Sequence, residues 1–152
     1  MTLWIDADAC PKIIKEFLYS VAHRLKIPAV LVANSAMHIP RSTLVSLVVV
    51  DQGQDVADQH ILTHSTLGDL VITADIPLAS ALVDKGVAAI NPRGTVYTPT
   101  NVKEALATRN LLHDLREEGV HSGGPPPLGP RDREQFANAL DRELTRLRKE
   151  TR

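Results

Sequence analysis

Two aspartates one residue apart, Asp6 and Asp8, end the apolar run of Leu3-Trp4-Ile5-Asp6-Ala7-Asp8-Ala9-Cys10-Pro11. Aspartate is a poor strand former, so acids at the end of a strand call for a reason other than strand stability. Further acids follow later apolar runs: Asp51 after Val48-Val49-Val50 and Asp75 shortly after Leu70-Val71-Ile72-Thr73, while Asp58 lies between them in a segment of helical character. Carboxylates brought together raise one another's electrostatic energy, and a bound cation relieves it. Mg2+ or Mn2+ suits hard oxygen ligands, and two such ions about 3.5 to 4 Å apart can activate a water and stabilise the leaving oxygen of a phosphodiester. Asp6, Asp8 and Asp75 are therefore the candidate catalytic and metal-ligating residues on this pattern, and Asp58 can face the same place. Taken singly, Asp8, Asp58 or Asp75 is equally suited to capping a helix; only their convergence points to chemistry.

Convergence requires a particular scaffold. Leu3 to Ile5 reads as a buried strand, and residues 11 to 25 carry Ile13, Ile14, Phe17, Leu18, Val21, Ala22 and Leu25 at helical spacing, with Pro11 suited to the first helical position. Ala29 to Ala33 and Leu44 to Val50 are strands whose near-continuous Val and Leu content fits burial on both faces. A helix over Asp55 to Ser65 puts Asp55 and Asp58 on one face, three residues apart. Leu70 to Thr73 is a fourth strand, Leu78 to Lys85 a helix closed by Gly86, and Val87 to Ile90 a fifth strand before the turn Asn91-Pro92-Arg93-Gly94. Asn101 with Glu104 has the spacing of a capping box for a helix to about Glu118, and Asp132 with Gln135 does the same for a last helix. Strands alternating with helices predict a three-layer α/β/α fold with a mainly parallel sheet of four to five strands, whose carboxyl edge collects the acids. The domain is expected over 1–120, a Gly/Pro-rich loop over 121–131, and an amphipathic helix of the same domain over 132–152. The stripe Phe136, Leu140, Leu144 and Leu147 is suited to the domain's own core or to a second copy in a homodimer.

Composition narrows the class. At 152 residues the chain fits one domain that buries roughly two-thirds of its unfolded surface. Only 3% of residues are aromatic, so the core must come from aliphatic side chains. Net charge is −1, which excludes a uniformly basic nucleic-acid binder but not a local basic patch. The single cysteine, Cys10, excludes an intrachain disulfide and a cysteine zinc cluster and suits a reducing, cytoplasmic setting. No run is long enough to cross a membrane, and the start of the chain lacks the features of a signal peptide. Residues 1–102 contain eight Asp and one Glu, a bias toward caps, turns and ligands, because Glu suits an exposed helix face better.

Further residues bear on substrate. Asn34 and Ser35 leave the second strand at the acidic edge, and Arg41 and Arg93 have the fork that matches phosphate oxygens; these are the candidate substrate-binding residues, and both arginines also suit ordinary exposed loops. His60 and His64 stand four apart on one helix, but the Glu that follows the first His in the metalloprotease motif is absent, and core or surface histidines are the simpler reading. Cys10 reads as a small buried residue. No Walker or Rossmann glycine pattern is present.

The strings Trp4-Ile5-Asp6-Ala7-Asp8-Ala9-Cys10-Pro11, Gly68 to Ala79, Ile90-Asn91-Pro92-Arg93-Gly94 and Leu115 to Pro127 together resemble the YaiI/YqxD family of bacterial proteins, over nearly the whole chain. That resemblance implies a cytoplasmic protein distantly similar to PIN-domain nucleases, with a parallel α/β/α sheet, an acidic metal site and single-stranded RNA as substrate. On it, Asp6 matches the first acid of the PIN pattern, Asp58 the acid on the later helix and Asp75 the acid after the next strand, while Asp8 belongs to this family's own motif; the resemblance thus implies Asp6, Asp8, Asp58 and Asp75 as the catalytic and metal-ligating set. The further acid that PIN nucleases place before the later helix has no counterpart, because nothing acidic lies between Glu16 and Asp51. Two other readings stand beside the nuclease. A haloacid-dehalogenase-type phosphatase also opens with Asp-x-Asp, but here Cys10 replaces the usual hydroxyl or β-branched residue and the spacing from Gly68-Asp69 to Asp75 departs from the pattern. A PIN-like scaffold that binds RNA or protein without catalysis fits the near-neutral charge and the missing acid.

Overall fold

The computed structural model describes residues 1–53, 55–117, 119 and 127–150. Strands β1 (Leu3–Asp6), β2 (Ala29–Ala33), β3 (Val45–Val49), β4 (Leu70–Ile72) and β5 (Ala88–Ile90) alternate with helices α1 (Lys12–Leu25), α2 (Val56–His64) and α3 (Ile76–Lys85), and α4 (Pro99–Glu117) and α5 (Pro130–Glu150) follow. The strands form one parallel sheet in the order β3-β2-β1-β4-β5. One antiparallel bridge, Ile90 to Val96, folds the chain back beyond β5. This is the expected α/β architecture, a five-stranded parallel sheet flanked by helices.

Side-chain alternation divides the core in two. Leu3, Ile5, Leu31, Leu70 and Ile72 face α1 and α5, while Val32, Val71 and Ala89 face α2 and α3. Full burial of each Leu or Ile contributes about 1.5–3 kcal/mol relative to exposure. Phe136, Leu140, Leu144 and Leu147 are all buried, and Phe136 meets Phe17 of α1 edge-on at 6.1 Å. The stripe of α5 therefore packs on its own domain.

Helix starts differ from expectation by a few residues, for local reasons. Pro11 is the N-cap of α1 rather than its first helical residue, and an unforeseen 3-10 turn, Ala7–Ala9, separates β1 from α1. Thr98, not Asn101, begins α4: Thr98 N donates to Asn101 Oδ1 at 2.8 Å and Asn101 N to Thr98 Oγ1 at 3.1 Å, a reciprocal cap one turn earlier. Asp132 lies inside α5 and reaches back to accept from Gly129 N at 3.0 Å. Of the Gly/Pro-rich loop expected over 121–131, residues 121–126 lie outside the described residues.

The order of the strands positions the site. From β1 the chain moves outward through β2 and β3, then returns to place β4 and β5 on the other side of β1. Such a reversal opens a crevice outside the carboxyl ends of the two diverging strands, here β1 and β4.

Candidate functional site

Asp6 is the last residue of β1 and shares a sheet face with Trp4, the face that α2 and α3 cover. It is 5% exposed, and its Oδ2 accepts from Thr73 Oγ1 at 2.8 Å. Burial pushes its carboxyl above the ordinary range; the Thr73 bond opposes this, and the neighbouring Asp75 and Asp8 add to it. Asp8 is carried outward by the 3-10 turn, and its Oδ2 accepts from Asn34 N at 2.8 Å, joining that turn to the end of β2. Asp75 caps α3 through Oδ1, which accepts from Leu78 N at 2.8 Å, and Pro77 in the first turn has no N–H to satisfy.

Asp58 closes the group from the first turn of α2. Its carboxyl is pushed up to about 7, first by burial, then by the charges of Asp75 and Asp6, a hydrogen bond with Asp75 and the charge of Asp55. Asp58 and Asp75 thus face each other as a carboxyl pair that holds a proton near neutrality. Asp6, Asp8, Asp58, Asp75 and Asn34 line one cleft of about 390 Å3 at the reversal of the sheet. All four candidate catalytic acids line this one cleft.

The same cleft includes Asp55, which was expected inside a helix. It instead precedes α2 in the left-handed region, at φ 64° and ψ 10°, a conformation aspartate tolerates better than most residues. The signal in the sequence was its spacing from Asp58. Asp51 is exposed and outside the cleft lining, as are Ser35 and Arg41. Arg93 is tied elsewhere: its Nη1 donates to Asp132 Oδ2 of α5 at 2.9 Å. Next to it, a Cβ on Gly94 would come within 2.6 Å of the Gln135 backbone, so this turn clasps the start of α5. His60 and His64 stack at 4.1 Å beside Trp4 and do not line the cleft. Cys10 is buried, and burial pushes its thiol up to about 12, which suits a packing role.

Whether this donor set fits a divalent cation is a question of geometry. Among the described residues no three His, Cys, Asp or Glu side chains stand close enough to enclose an ion, so a closed shell of protein ligands is not built here. The Asp58–Asp75 pair with Asp6 beside it suits an ion that keeps several waters and binds one or two carboxylates plus a substrate phosphate, as Mg2+ does. Asn34 adds a neutral oxygen, since its Oδ1 is buried without a hydrogen-bond partner among the described residues and the side chain lines this cleft. The residues fit a hydrated ion and not a fully dehydrated one.

Comparison with known proteins gives one family. The family model described as "Uncharacterized BCR, YaiI/YqxD family" matches residues 4–146. A UPF0178 protein of Trichlorobacter lovleyi is 51% identical over 152 residues, covering 100% of this chain and 99% of the relative. UPF0178 proteins of Acidithiobacillus ferrooxidans and Myxococcus xanthus are each 51% identical, over 96% and 97% of this chain and 99% and 96% of their own lengths. No solved structure matches the chain.

Proposed function

The chain belongs to the YaiI/YqxD family, and from that premise we propose that it is a metal-dependent nuclease hydrolysing phosphodiesters of single-stranded RNA in the cytoplasm. One observation carries the reading: acids from β1, the 3-10 turn, α2 and the β4–α3 junction line a single cleft at the reversal of a parallel sheet. One or two of Asp6, Asp58 and Asp75 would hold a hydrated Mg2+ or Mn2+, with Asp8 at the rim. When bound, the ion supplies positive charge to the phosphate and lowers the pKa of a coordinated water.

The chain's own groups do the rest. With no cation bound, Asp58 keeps a proton near neutrality beside Asp75, and it would give up that proton for its carboxylate to become a ligand of a cation in the cleft. Thr73 fixes the rotamer of Asp6, and Asn34 N fixes Asp8, so both acids are oriented before substrate arrives. Leu78 N holds Asp75 Oδ1 and so fixes this side chain in the lining of the cleft.

The test is end-labelled single-stranded RNA incubated with purified protein and Mn2+ or Mg2+, alongside calorimetric titration of Mn2+. Cleavage should require added metal, stop with EDTA, and fall at least a hundredfold in Asp58→Asn and Asp75→Asn. Absence of metal binding, or cleavage that survives both substitutions, overturns the mechanism. RNA binding that ignores EDTA and gives no turnover would favour the scaffold reading instead.

A further inference from the structure

An acidic cleft repels the polyanion it is proposed to cut, so a substrate strand needs a cationic anchor close by. The structure has a cavity of about 440 Å3 next to the cleft, with the opposite chemistry. The amino-terminal part of α1 supplies Lys12, Lys15 and Tyr19, and the loop leaving β2 supplies Met37, His38 and Pro40. Glu16 also lines it, and its carboxylate is 3.9 Å from the Lys12 ammonium on a solvated surface, where such a pair is weak. The balance in the cavity is two ammonium groups and an imidazole against one carboxylate.

Three features tie this cavity to the cleft. Lys15 Nζ donates to Ala7 O at 3.4 Å, the carbonyl between Asp6 and Asp8, so one ammonium is anchored beside the acids. Ala9 and Asn34 line the cleft while Lys12 and Met37 line the cavity, three residues further along each segment, a span of at most about 10 Å. Tyr19 and Met37 are half-buried and pack on the core, giving the cavity a fixed apolar wall beside its charges.

Ammonium groups next to an aromatic wall match the two faces of a nucleotide, a phosphate and a flat base. An acidic peptide would use the lysines and leave that wall without a partner. We propose that this pocket is a nucleotide subsite, which seats the base of one residue against Tyr19 and its phosphate against Lys12 and Lys15, so that a single strand runs from the pocket into the acidic cleft. The proposal rests on the nucleic-acid reading of the cleft, but binding in the pocket does not depend on metal.

The experiment is fluorescence anisotropy of a labelled single-stranded RNA oligonucleotide with the full chain in EDTA, across a salt series, with circular dichroism as a check on folding. Wild type should bind, and Lys12→Gln with Lys15→Gln should weaken binding at least tenfold and reduce the salt slope by about 1 to 2. Because Lys15 also touches Ala7, Lys12→Gln is measured alone; its side chain is exposed, and half of the slope change should remain. Tyr19→Ala should weaken binding about tenfold at an unchanged slope. Lys149→Gln, near the end of α5 that borders the amino ends of β4 and β5, should bind as wild type. Wild type that binds no RNA in EDTA, folded variants that bind as wild type, or variants that lose only an acidic peptide probe overturn the subsite. Metal-free binding with these sensitivities but no cleavage in Mn2+ overturns the nuclease and leaves the subsite standing; cleavage indifferent to Lys12, Lys15 and Tyr19 does the reverse.

Discussion

Each edge of the sheet carries a buried aspartate, and the two are solvated in different ways. At the amino edge Asp69, 7% exposed, accepts from Thr2 N at 2.9 Å, Trp4 Nε1 at 3.1 Å, Thr66 N at 3.0 Å and Thr66 Oγ1 at 3.3 Å. At the carboxyl edge Asp6, 5% exposed, accepts from Thr73 Oγ1 and has Asp75 and Asp8 as charged neighbours. Residue type and burial are nearly the same; what differs is the supply of donors and the sign of nearby charge. The amino edge satisfies a negative charge with protein groups alone, joining the chain ahead of β1 to the turn ahead of β4. The carboxyl edge concentrates negative charge with fewer donors, which favours uptake of a proton or a cation.

The largest test of that contrast removes the satisfied acid. Asp69→Ala removes the acceptor of three part-buried N–H hydrogen bonds, and leaving a donor without its partner costs up to about 1–3 kcal/mol where it is buried. A loss near 3 kcal/mol should lower the melting temperature by about 10 °C in a chain of this size. Asp58→Asn, measured beside it in EDTA, should melt at or above wild type because it removes like-charge repulsion. Equal losses in the two variants would break the comparison.

Cation binding comes next. Mn2+ at a hundred times its dissociation constant should add about 2.7 kcal/mol, or roughly 5–10 °C in the melt. Chelation should reverse the gain, Asp58→Asn and Asp75→Asn should lose it, and Asp69→Ala should keep it on its lowered baseline. A gain retained in both carboxyl-edge variants would place the metal elsewhere.

The dependence on pH tests the same cluster without metal. The Asp58 carboxyl is raised from 3.8 to about 7 in the folded chain, so between those values the folded state keeps a proton that the unfolded state has released. Stability contributed by this proton is present in full below about pH 4, is lost as pH rises toward 7, and does not change further above it. Wild type minus Asp58→Asn, melted without metal at each pH, should fall across that window. A flat or rising difference would show that Asp58 is not held near neutrality by the cluster.

The sequence made the strands and the four convergent acids legible because both depend on local pattern: buried aliphatic runs, and an acid just past two of them. Asp58 was legible through the spacing of its helix and through family resemblance. The turn chemistry was less so. Asp55 adopts a left-handed conformation where helical periodicity placed it in the helix, and Thr98 captures the cap offered by Asn101 because a hydroxyl stood one turn earlier. Arg93 shows a further limit, since only the docking of α5 brings Asp132 to its guanidinium. The lysine and tyrosine pocket depends on how the loop after β2 folds over α1, and no short-range spacing encodes that.

The finest comparison concerns one hydroxyl. Thr73 is 1% exposed; its Oγ1 donates to Asp6 Oδ2 at 2.8 Å and accepts from Asp75 N at 3.0 Å, so a single group serves two of the acids. Thr73→Val keeps the shape and removes both bonds. A hydrogen bond to a charged group is worth about 1.5–3 kcal/mol, but Asp6 can protonate and relieve part of that loss, so about 1 kcal/mol or 3 °C is expected at pH 8 without metal. The loss should shrink as pH falls, because a protonated Asp6 no longer needs the donor. A loss that did not change with pH would mean that Asp6 stays charged throughout, which its burial and the crowding by Asp75 and Asp8 oppose. Removing the bond also removes the influence that lowers the Asp6 carboxyl, so Mn2+ should bind Thr73→Val at higher pH than wild type, and Thr73→Ser should restore both the melt and the metal titration. Thr73→Val that melts as wild type at pH 8 and binds Mn2+ at the same pH would mean that the carboxyl edge is supplied by donors other than Thr73, and the contrast between the two edges would lose its physical basis.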